Sequence, residues 1–176
     1  AIFGEAWPRF PEADLDAIRR PIDFVGINYY TRGVMRHDPK AWPLSASRVR
    51  QPGAHTEMDW EVYPDGPTDV LVGVRERYGA MPLYVTENGA AYADPSPSNG
   101  VVSDPERVDY LRRHLRAAHR ALEAGVDLRG YFAWSLLDNF EWSHGTSKRF
   151  GLVRVDYDTQ RRTPKESARF YADVLR

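Results

Sequence analysis

The spacing of hydrophobic and polar positions along the chain predicts three successive units of strand, loop and helix. The runs rich in β-branched and aromatic side chains, which favour strands, cover residues 22–29, 82–86 and 130–135. The stretches with apolar positions three or four apart, which favour helices, run over 67–78, from 103 to 125 and from 163 onward. Because strands that alternate with helices pair in parallel through right-handed crossovers, the pattern indicates an α/β fold.

The predicted helix boundaries carry capping signals. Ser103-Asp104-Pro105-Glu106 offers a cap, a proline in the first turn and an acid near the positive end of the helix dipole. A second capping box, Thr163-Pro164-Lys165-Glu166, predicts the start of the last helix, after a hairpin-like stretch over 151–157. The apolar stripe expected on the middle helix consists of Val108, Leu111, Leu115, Ala118 and Leu122. Its solvated outer face is interpreted as Arg112, Arg113, Arg116 and Arg120.

Polar and aromatic side chains follow each predicted strand at its carboxyl end. Glu87 ends the apolar run that starts at Leu83, and a carboxylate there is costly to bury unless something pairs with it or uses it. Taken alone, a strand-end glutamate fits a salt bridge or a cap as well as a catalytic role. The three clusters are Asn28 with Tyr30, Glu87 with Asn88, and Trp134 with Asp138, Asn139, Glu141 and Trp142. Since parallel strands end at one rim, these clusters are expected to converge, which favours an active site.

Composition narrows the class of protein. The 176 residues, of which 42% are hydrophobic, suffice for one domain with a sizeable core, and no segment is long and apolar enough to cross a bilayer. A net charge of −1 argues against binding to nucleic acid or an anionic membrane. The absence of cysteine excludes disulfides and thiolate metal sites, and no metal or cofactor motif is present. Five tryptophans and ten tyrosines fit either an aromatic core or a sugar-binding cleft.

Four motifs make the chain recognisable. They are DFVGINYY at 23–30, YVTENG at 84–89, GYFAWSLLDNFEW at 130–142 and RFGL at 149–152. In order and spacing they resemble the carboxyl-terminal part of glycoside hydrolase family 1, the β-glucosidase type of TIM (β/α)₈ barrel. The resemblance implies that residues 1–176 are the carboxyl-terminal part of a single barrel and supply strands six to eight. Because three strand–helix units cannot close a barrel, the amino-terminal remainder of the barrel is the expected protein partner.

The resemblance implies a retaining β-glycosidase without a cofactor or metal. Glu87 matches the nucleophile, which would form a covalent glycosyl-enzyme, and Tyr30 matches the tyrosine that hydrogen-bonds that carboxylate. The implied substrate-binding residues are Asn28 near the acid/base side, Trp134 beneath the sugar ring, Glu141 on the 4- and 6-hydroxyls, Trp142 as an indole donor and Phe150 as an apolar wall. The plainer alternatives are core aromatic residues and, for Glu141, a helix-capping acid.

Two departures from the family pattern qualify this expectation. A retaining glycosidase needs a second carboxyl group to protonate the leaving oxygen, and the family's Thr-x-Asn-Glu-Pro motif is absent here. The acid/base carboxylate is therefore expected outside this chain. The alternative is a non-catalytic carbohydrate-binding or barrel-completing fragment. The second departure lies near the start of the chain. Between the segments that correspond to residues 2–5 and 7–11, the family usually has a longer stretch that includes a helix, and this chain lacks it.

The expected substrate is an unphosphorylated β-glucoside or oligosaccharide. Family members that act on 6-phosphorylated sugars resemble one another in placing a serine where Glu141 stands, with a downstream Lys-x-Tyr that grips the phosphate. Here the glutamate is followed by Lys148-Arg149-Phe150, so only the lysine is shared. For Lys148, a solvated loop residue or a partner for a nearby acid is the plainer interpretation. The cytoplasm of a bacterium is the expected location, with secretion left open.

Overall fold

The structure is a computed structural model that describes residues 4–6 and 8–176. The departure expected around residues 2–5 and 7–11 falls partly outside these described residues. The helices and strands in chain order are α1 (Glu12–Ile18), β1 (Val25–Asn28), β2 (Met35–His37), β3 (Ala46–Arg48), α2 (Gly66–Tyr78), β4 (Leu83–Asn88), α3 (Pro105–Glu123), β5 (Leu128–Ala133), β6 (Val153–Val155), β7 (Arg162–Pro164) and α4 (Glu166–Val174). Short 3₁₀ turns cover Gly4–Ala6 and Trp142–His144.

The central sheet is parallel, as the strand–helix alternation predicts. Its strand order is β1-β4-β5, with α2 and α3 as the crossovers between them. The two helices cover one face of the sheet, and the buried core between them consists of Leu71, Leu83, Val85, Ala121 and Val126. Within the described part of the chain this sheet has two edge strands, β1 and β5, and does not close into a barrel.

The opposite face of the sheet is aromatic and open. Phe24 and Tyr84 pack edge to face with ring centroids 5.2 Å apart, and Phe132 lies close to the same Tyr84 beside Gly130. Phe24 is 55% exposed and Phe132 56% exposed, although side chains of this kind are normally covered. Because successive residues of a strand alternate between faces, these side chains occupy the face that would form the interior of a barrel.

The strand boundaries differ from the prediction by one to three residues. The first strand starts at Val25, not at Ile22, because its partner β4 starts at Leu83 and Val25 bonds the carbonyl of Pro82. The second strand extends past Thr86 to Asn88, since Tyr29 N–H donates to the carbonyl of Glu87 at 2.9 Å. The third runs over Leu128–Ala133, not over 130–135. Glu87 is therefore the penultimate residue of a strand and does not follow one.

The capping box predicted at 163–166 is wrong. Arg162–Pro164 form β7, which pairs antiparallel with β6, so the hairpin has its second strand beyond the predicted 151–157. Helix α4 starts at Glu166 without a side-chain cap from Lys165, and Asp104 instead accepts the N–H of Ser167 at 2.8 Å. Asp104 thus caps α4 and not α3, the helix it precedes. When the starts of two helices lie side by side in the fold, the sequence alone does not show which of them a carboxylate caps.

The middle helix follows its predicted pattern with local exceptions. Leu111 and Ala118 are buried and Arg113, Arg116 and Arg120 are exposed, in agreement with an outer arginine face, while Arg112 is half-buried. Leu122, placed in the apolar stripe, is 46% exposed. The sequence did not indicate helix α1, the β2–β3 hairpin or the burial of Arg107. No helix in the described ranges 4–6 and 8–176 has the length and apolar character needed to cross a membrane.

Candidate active site

A cleft of about 470 Å³ opens at the carboxyl ends of the three parallel strands. The residues that line it are Asn28, Tyr30, Trp60, Glu87, Trp134, Glu141, Trp142 and Phe150. The seven residues that the resemblance assigns to catalysis or sugar binding lie together there. Asn88, Asp138 and Asn139, which were expected at the same rim, do not line the cleft, and the first two are buried. Trp60 is an addition, because it lies in the irregular segment between β3 and α2, where no periodicity marks a position as functional.

Glu87 and Tyr30 form a hydrogen-bonded pair at the base of this cleft. The Tyr30 hydroxyl donates to Oε2 of Glu87 at 2.6 Å. Burial raises the pKa of the Tyr30 phenol, and the hydrogen bond to the Glu87 carboxylate raises it further. The phenol therefore remains a protonated donor at any pH at which an ordinary enzyme works. Both side chains are only partly buried, so the carboxylate stays accessible from the cleft.

A β-bulge in β4 directs Glu87 toward the cleft. Ile27 pairs with Val85 but Asn28 pairs with Glu87, so Thr86 is an extra residue relative to β1. Thr86 donates its hydroxyl to Oδ1 of Asn28 at 2.7 Å, which orients the amide group of this cleft-lining residue. After the bulge Glu87 faces the cleft, while Asn88 is fully buried against α3. Because of this one inserted residue, Glu87 points into the cleft and its neighbour Asn88 points into the core.

Gly89 is required by a close approach between the residues that directly follow β4 and β5. A Cβ at this position would lie 1.8 Å from the carbonyl oxygen of Trp134, so no larger residue fits without moving the backbone. Gly89 does not have a positive φ, so this close contact and not a left-handed backbone accounts for the glycine. Its function is to let Trp134, which lines the cleft, come beside the strand that carries Glu87.

The walls of the cleft are aromatic. The Trp60 ring lies 5.3 Å from that of Tyr30 and 6.1 Å from that of Phe150, measured between centroids. Phe150 is 2% exposed, whereas Trp142 is 82% exposed at the outer lip. The Trp60 segment is anchored by its neighbour Glu61, which accepts two hydrogen bonds of 2.9 Å from Arg32. Aromatic faces beside a carboxylate pair suit a ligand with both C–H faces and hydroxyl groups.

Glu141 lines the cleft from the loop that follows β5. It precedes the 3₁₀ turn Trp142–His144, and among the described residues its carboxylate makes no side-chain cap to that turn. The capping alternative for Glu141 therefore has no support in the geometry. Lys148, the other charged residue of this loop considered in the sequence, donates its ammonium to the backbone carbonyl of Glu57 at 2.8 Å.

A buried ion cluster lies beneath the rim and holds the loop that carries Phe150. The Lys165 ammonium lies 2.6 Å from Asp94 Oδ2 and 3.0 Å from Asp138 Oδ1, and all three side chains are inaccessible to solvent. Burial lowers the pKa of Lys165, and the two carboxylates oppose this effect. Asp138 also accepts the N–H of Gly151 at 2.9 Å, and Arg107 donates to the carbonyl of Arg149 at 2.7 Å. The backbone on both sides of Phe150 is thereby fixed.

Comparison with known proteins gives the family. The family model described as "Glycosyl hydrolase family 1" matches residues 3–176. The chain belongs to glycoside hydrolase family 1. It is 47% identical to the 1,4-beta-D-glucan glucohydrolase of Thermotoga neapolitana over 172 residues, which are 98% of this chain and 38% of that protein. It is 45% identical to Beta-glucosidase A of Thermotoga maritima, again over 98% of this chain and 38% of that protein.

Solved structures of the family agree with the fold. The family 1 b-glucosidase from Thermotoga maritima superposes with a TM-score of 0.93 at 45% identity and covers 98% of this chain, which corresponds to 39% of that structure. The same enzyme has been solved with isofagomine lactam, at a TM-score of 0.92, 44% identity, and coverage of 99% of this chain and 39% of that structure. The chain thus spans less than two fifths of the family 1 proteins it matches, and the prediction that it supplies part of a TIM barrel is confirmed.

No group of three or more histidine, aspartate or glutamate side chains arranged to hold a metal ion occurs within residues 4–6 and 8–176.

Proposed function

We propose that this chain is the nucleophile-bearing part of a retaining β-glucosidase-like enzyme that hydrolyses unphosphorylated β-glucosides. The observation that carries the proposal is the 2.6 Å hydrogen bond from Tyr30 to Glu87 inside an aromatic cleft at the strand ends of a family 1 chain. A carboxylate that is held by one donor and open to the cleft on its other side has the geometry of an attacking group.

The reaction would proceed in two displacements at the anomeric carbon. Glu87 attacks that carbon, the bond from it to the aglycone oxygen breaks, and an acid/base carboxyl group outside this chain gives its proton to the leaving oxygen. The same external carboxylate then takes a proton from water, whose oxygen attacks the anomeric carbon and releases Glu87. Two carboxyl groups about 5–5.5 Å apart are needed for this course. The sugar would lie over Trp134, with Glu141 and Trp142 at its hydroxyls, Phe150 at its side and Asn28 toward the acid/base group.

The rest of the barrel is the proposed partner of the open sheet face. The aromatic surface of Phe24, Tyr84 and Phe132 is of the kind that a folded protein covers, and the relatives are more than twice as long as this chain. A complete site is therefore best studied in a chimera in which this chain replaces the aligned segment of the Thermotoga maritima β-glucosidase. This chimera is called the completed barrel below.

The nucleophile is tested by substitution and rescue in the completed barrel. Glu87→Ala should lower kcat for p-nitrophenyl β-glucoside by roughly 10⁴-fold or more. Added azide should partly restore turnover and give the α-glycosyl azide, because the anion enters from the face that Glu87 vacates. The matched control is Glu76→Ala, which removes an exposed glutamate of α2 and should leave kcat unchanged. A β-configured azide product, or near-normal turnover in Glu87→Gln, would contradict the proposal.

A further inference from the structure

A buried polar relay lies directly behind the Glu87–Tyr30 pair. Asn88 is 0% exposed, and its amide nitrogen donates to the carbonyl of Tyr29 at 2.8 Å and to the Tyr110 hydroxyl at 3.1 Å. Its amide oxygen accepts the hydroxyl of Tyr131. Neither Asn88 nor Tyr110 lines the cleft, so neither can touch a sugar bound there.

Tyr110 connects this relay to the residue that holds Glu87. Its hydroxyl donates to the backbone carbonyl of Tyr30 at 3.0 Å while it accepts from Asn88. Its ring, 1% exposed, stacks on His114 with centroids 3.8 Å apart, so the hydroxyl has little freedom to move. Asn88 and Tyr110 thus hydrogen-bond two successive backbone carbonyls, those of Tyr29 and Tyr30.

The position of Tyr30 in the chain explains why these two hydrogen bonds to the backbone matter. Strand β1 ends at Asn28, so Tyr30 lies two residues beyond the last residue of the strand. The Tyr30 phenol nevertheless has to stay within hydrogen-bond distance of Glu87 while charge on that carboxylate is consumed and restored. The last bond to the neighbouring strand is that of Tyr29 N–H to the carbonyl of Glu87, and side chains that bond the carbonyls of residues 29 and 30 supply the order beyond it.

We infer that Asn88 and Tyr110 are positioning residues that fix the backbone of Tyr30 and, through it, the hydrogen bond to the nucleophile. The inference deepens the proposed function and rests on it. Asn88 belongs to the strand end that carries Glu87, and Tyr110 belongs to α3. The relay therefore ties the nucleophile, its hydrogen-bond donor and the helix behind them into one unit.

The first test is Tyr110→Phe in the completed barrel, which removes one hydroxyl and keeps the ring. We expect kcat for p-nitrophenyl β-glucoside to fall roughly tenfold, with KM within about twofold, because sugar contacts are untouched while the transition state loses a positioned donor. The matched control is Thr68→Val, which removes a hydroxyl that donates at 2.8 Å to the carbonyl of Ala117, a residue of α3 outside the relay. The control should retain kcat. An unchanged kcat in Tyr110→Phe, or a rise in KM alone, would overturn the inference.

A double-mutant cycle with Tyr30→Phe separates positioning from general stability. If Tyr110 acts through the Tyr30 hydroxyl, adding Tyr110→Phe to Tyr30→Phe should lower kcat by less than about twofold further. A full tenfold further loss would show an independent structural role and overturn the inference. Tyr131→Phe, which loosens Asn88 from its other side, is the second variant and should show the same non-additivity even if Tyr110→Phe folds poorly.

Failure of the proposed function is recognised separately. If the completed barrel is inactive, or if Glu87→Ala with azide yields no α-glycosyl azide, the assignment of Glu87 is wrong and the relay has no nucleophile to serve. If both of those results are as expected and the Tyr110 cycle is additive, only the positioning inference is overturned.

Discussion

Among single residues, Glu141 is the one that we propose sets which charge the cleft accepts beside the 6-position of the sugar. A neutral hydroxyl donates well to a carboxylate, whereas a phosphate with about −1.5 to −2 charges is repelled by it. The Lys148 ammonium of the same loop is held by the backbone carbonyl of Glu57, to which it donates at 2.8 Å. The loop therefore offers the Glu141 carboxylate as an acceptor for a hydroxyl group, and its cation, Lys148, is already hydrogen-bonded to the backbone.

We predict that the completed barrel prefers p-nitrophenyl β-glucoside over its 6-phosphate by at least about a hundredfold in kcat/KM, an electrostatic difference of about 3 kcal/mol. Glu141→Ser should narrow this ratio, because it removes the repelling charge together with the acceptor. The comparison requires only steady-state rates with the two substrates. A preference of the unaltered barrel for the phosphate would refute the assignment of Glu141.

Residue identities at the site were predictable where chemistry and position coincide. Glu87 is marked by a carboxylate at the end of an apolar strand, and Glu141 and Trp142 by their place in a motif. Trp60 carries no such mark, because its position depends on how an irregular loop folds back over Tyr30. The need for glycine at position 89 was not predictable either, because the approach of Trp134 is a contact between residues distant in the sequence.

Among the elements, α3 links the active-site rim to the core through one buried histidine. His114 is 0% exposed, its Nδ1 lies 2.7 Å from the carbonyl of Tyr110, and its ring packs against Tyr110 and Tyr29. Burial lowers the pKa of His114 to about 4, and the charge of Arg113 on the same helix adds to the effect. Folding therefore requires the neutral imidazole at this position.

The sign of the resulting pH dependence follows from linkage. In the unfolded chain a histidine has a pKa of about 6.5, so it is protonated below that pH. In the folded state His114 stays neutral until the pH falls to about 4. The free energy of unfolding should fall as pH drops through this window, by on the order of 3 kcal/mol in total from His114.

This dependence is measured by urea unfolding of the completed barrel at pH 7.5 and pH 5. His114→Gln should reduce the difference between the two free energies of unfolding by about 2 kcal/mol. His119→Gln, which alters an exposed histidine of the same helix, should leave the difference unchanged. Equal pH dependence in the unaltered barrel and in His114→Gln would show that another group is responsible.

Element types were predictable from periodicity, whereas several element ends were not. The three parallel strands and the two crossover helices follow from the spacing of apolar residues because each has one face against a shared core. The ends depend on partners: Val25 starts β1 because β4 starts opposite it, and Asp104 caps α4 because the starts of α3 and α4 lie together. The β2–β3 hairpin was missed because short strands outside the core carry little periodic signal.

In the whole molecule, most of the cleft is present, whereas the core is covered on only one side of the sheet. The proposed nucleophile Glu87, its donor Tyr30, the aromatic walls and the ion cluster beneath Phe150 all lie within this chain. The sheet that carries them is covered on one face only, and its other face shows Phe24 and Phe132 each more than half exposed. In the described part of the chain the loop after β5 adds Leu136 at 68% and Phe140 at 72% exposure. The open sheet face is the side where the remaining strands of a barrel would stand.

We predict that residues 1–176 expressed alone have no glycosidase activity and aggregate, whereas the completed barrel is soluble and active. Open parallel edges and an uncovered aromatic face favour association between copies, and a single nucleophilic carboxylate cannot protonate a leaving group. Light scattering and the rate of p-nitrophenyl β-glucoside hydrolysis are measured on both proteins at equal concentration. Replacing Phe24 and Phe132 by serine should reduce aggregation of the isolated chain without giving it activity, which separates the two causes. Turnover by an isolated chain whose mass and purity are established would show that a second carboxyl group within it completes the site.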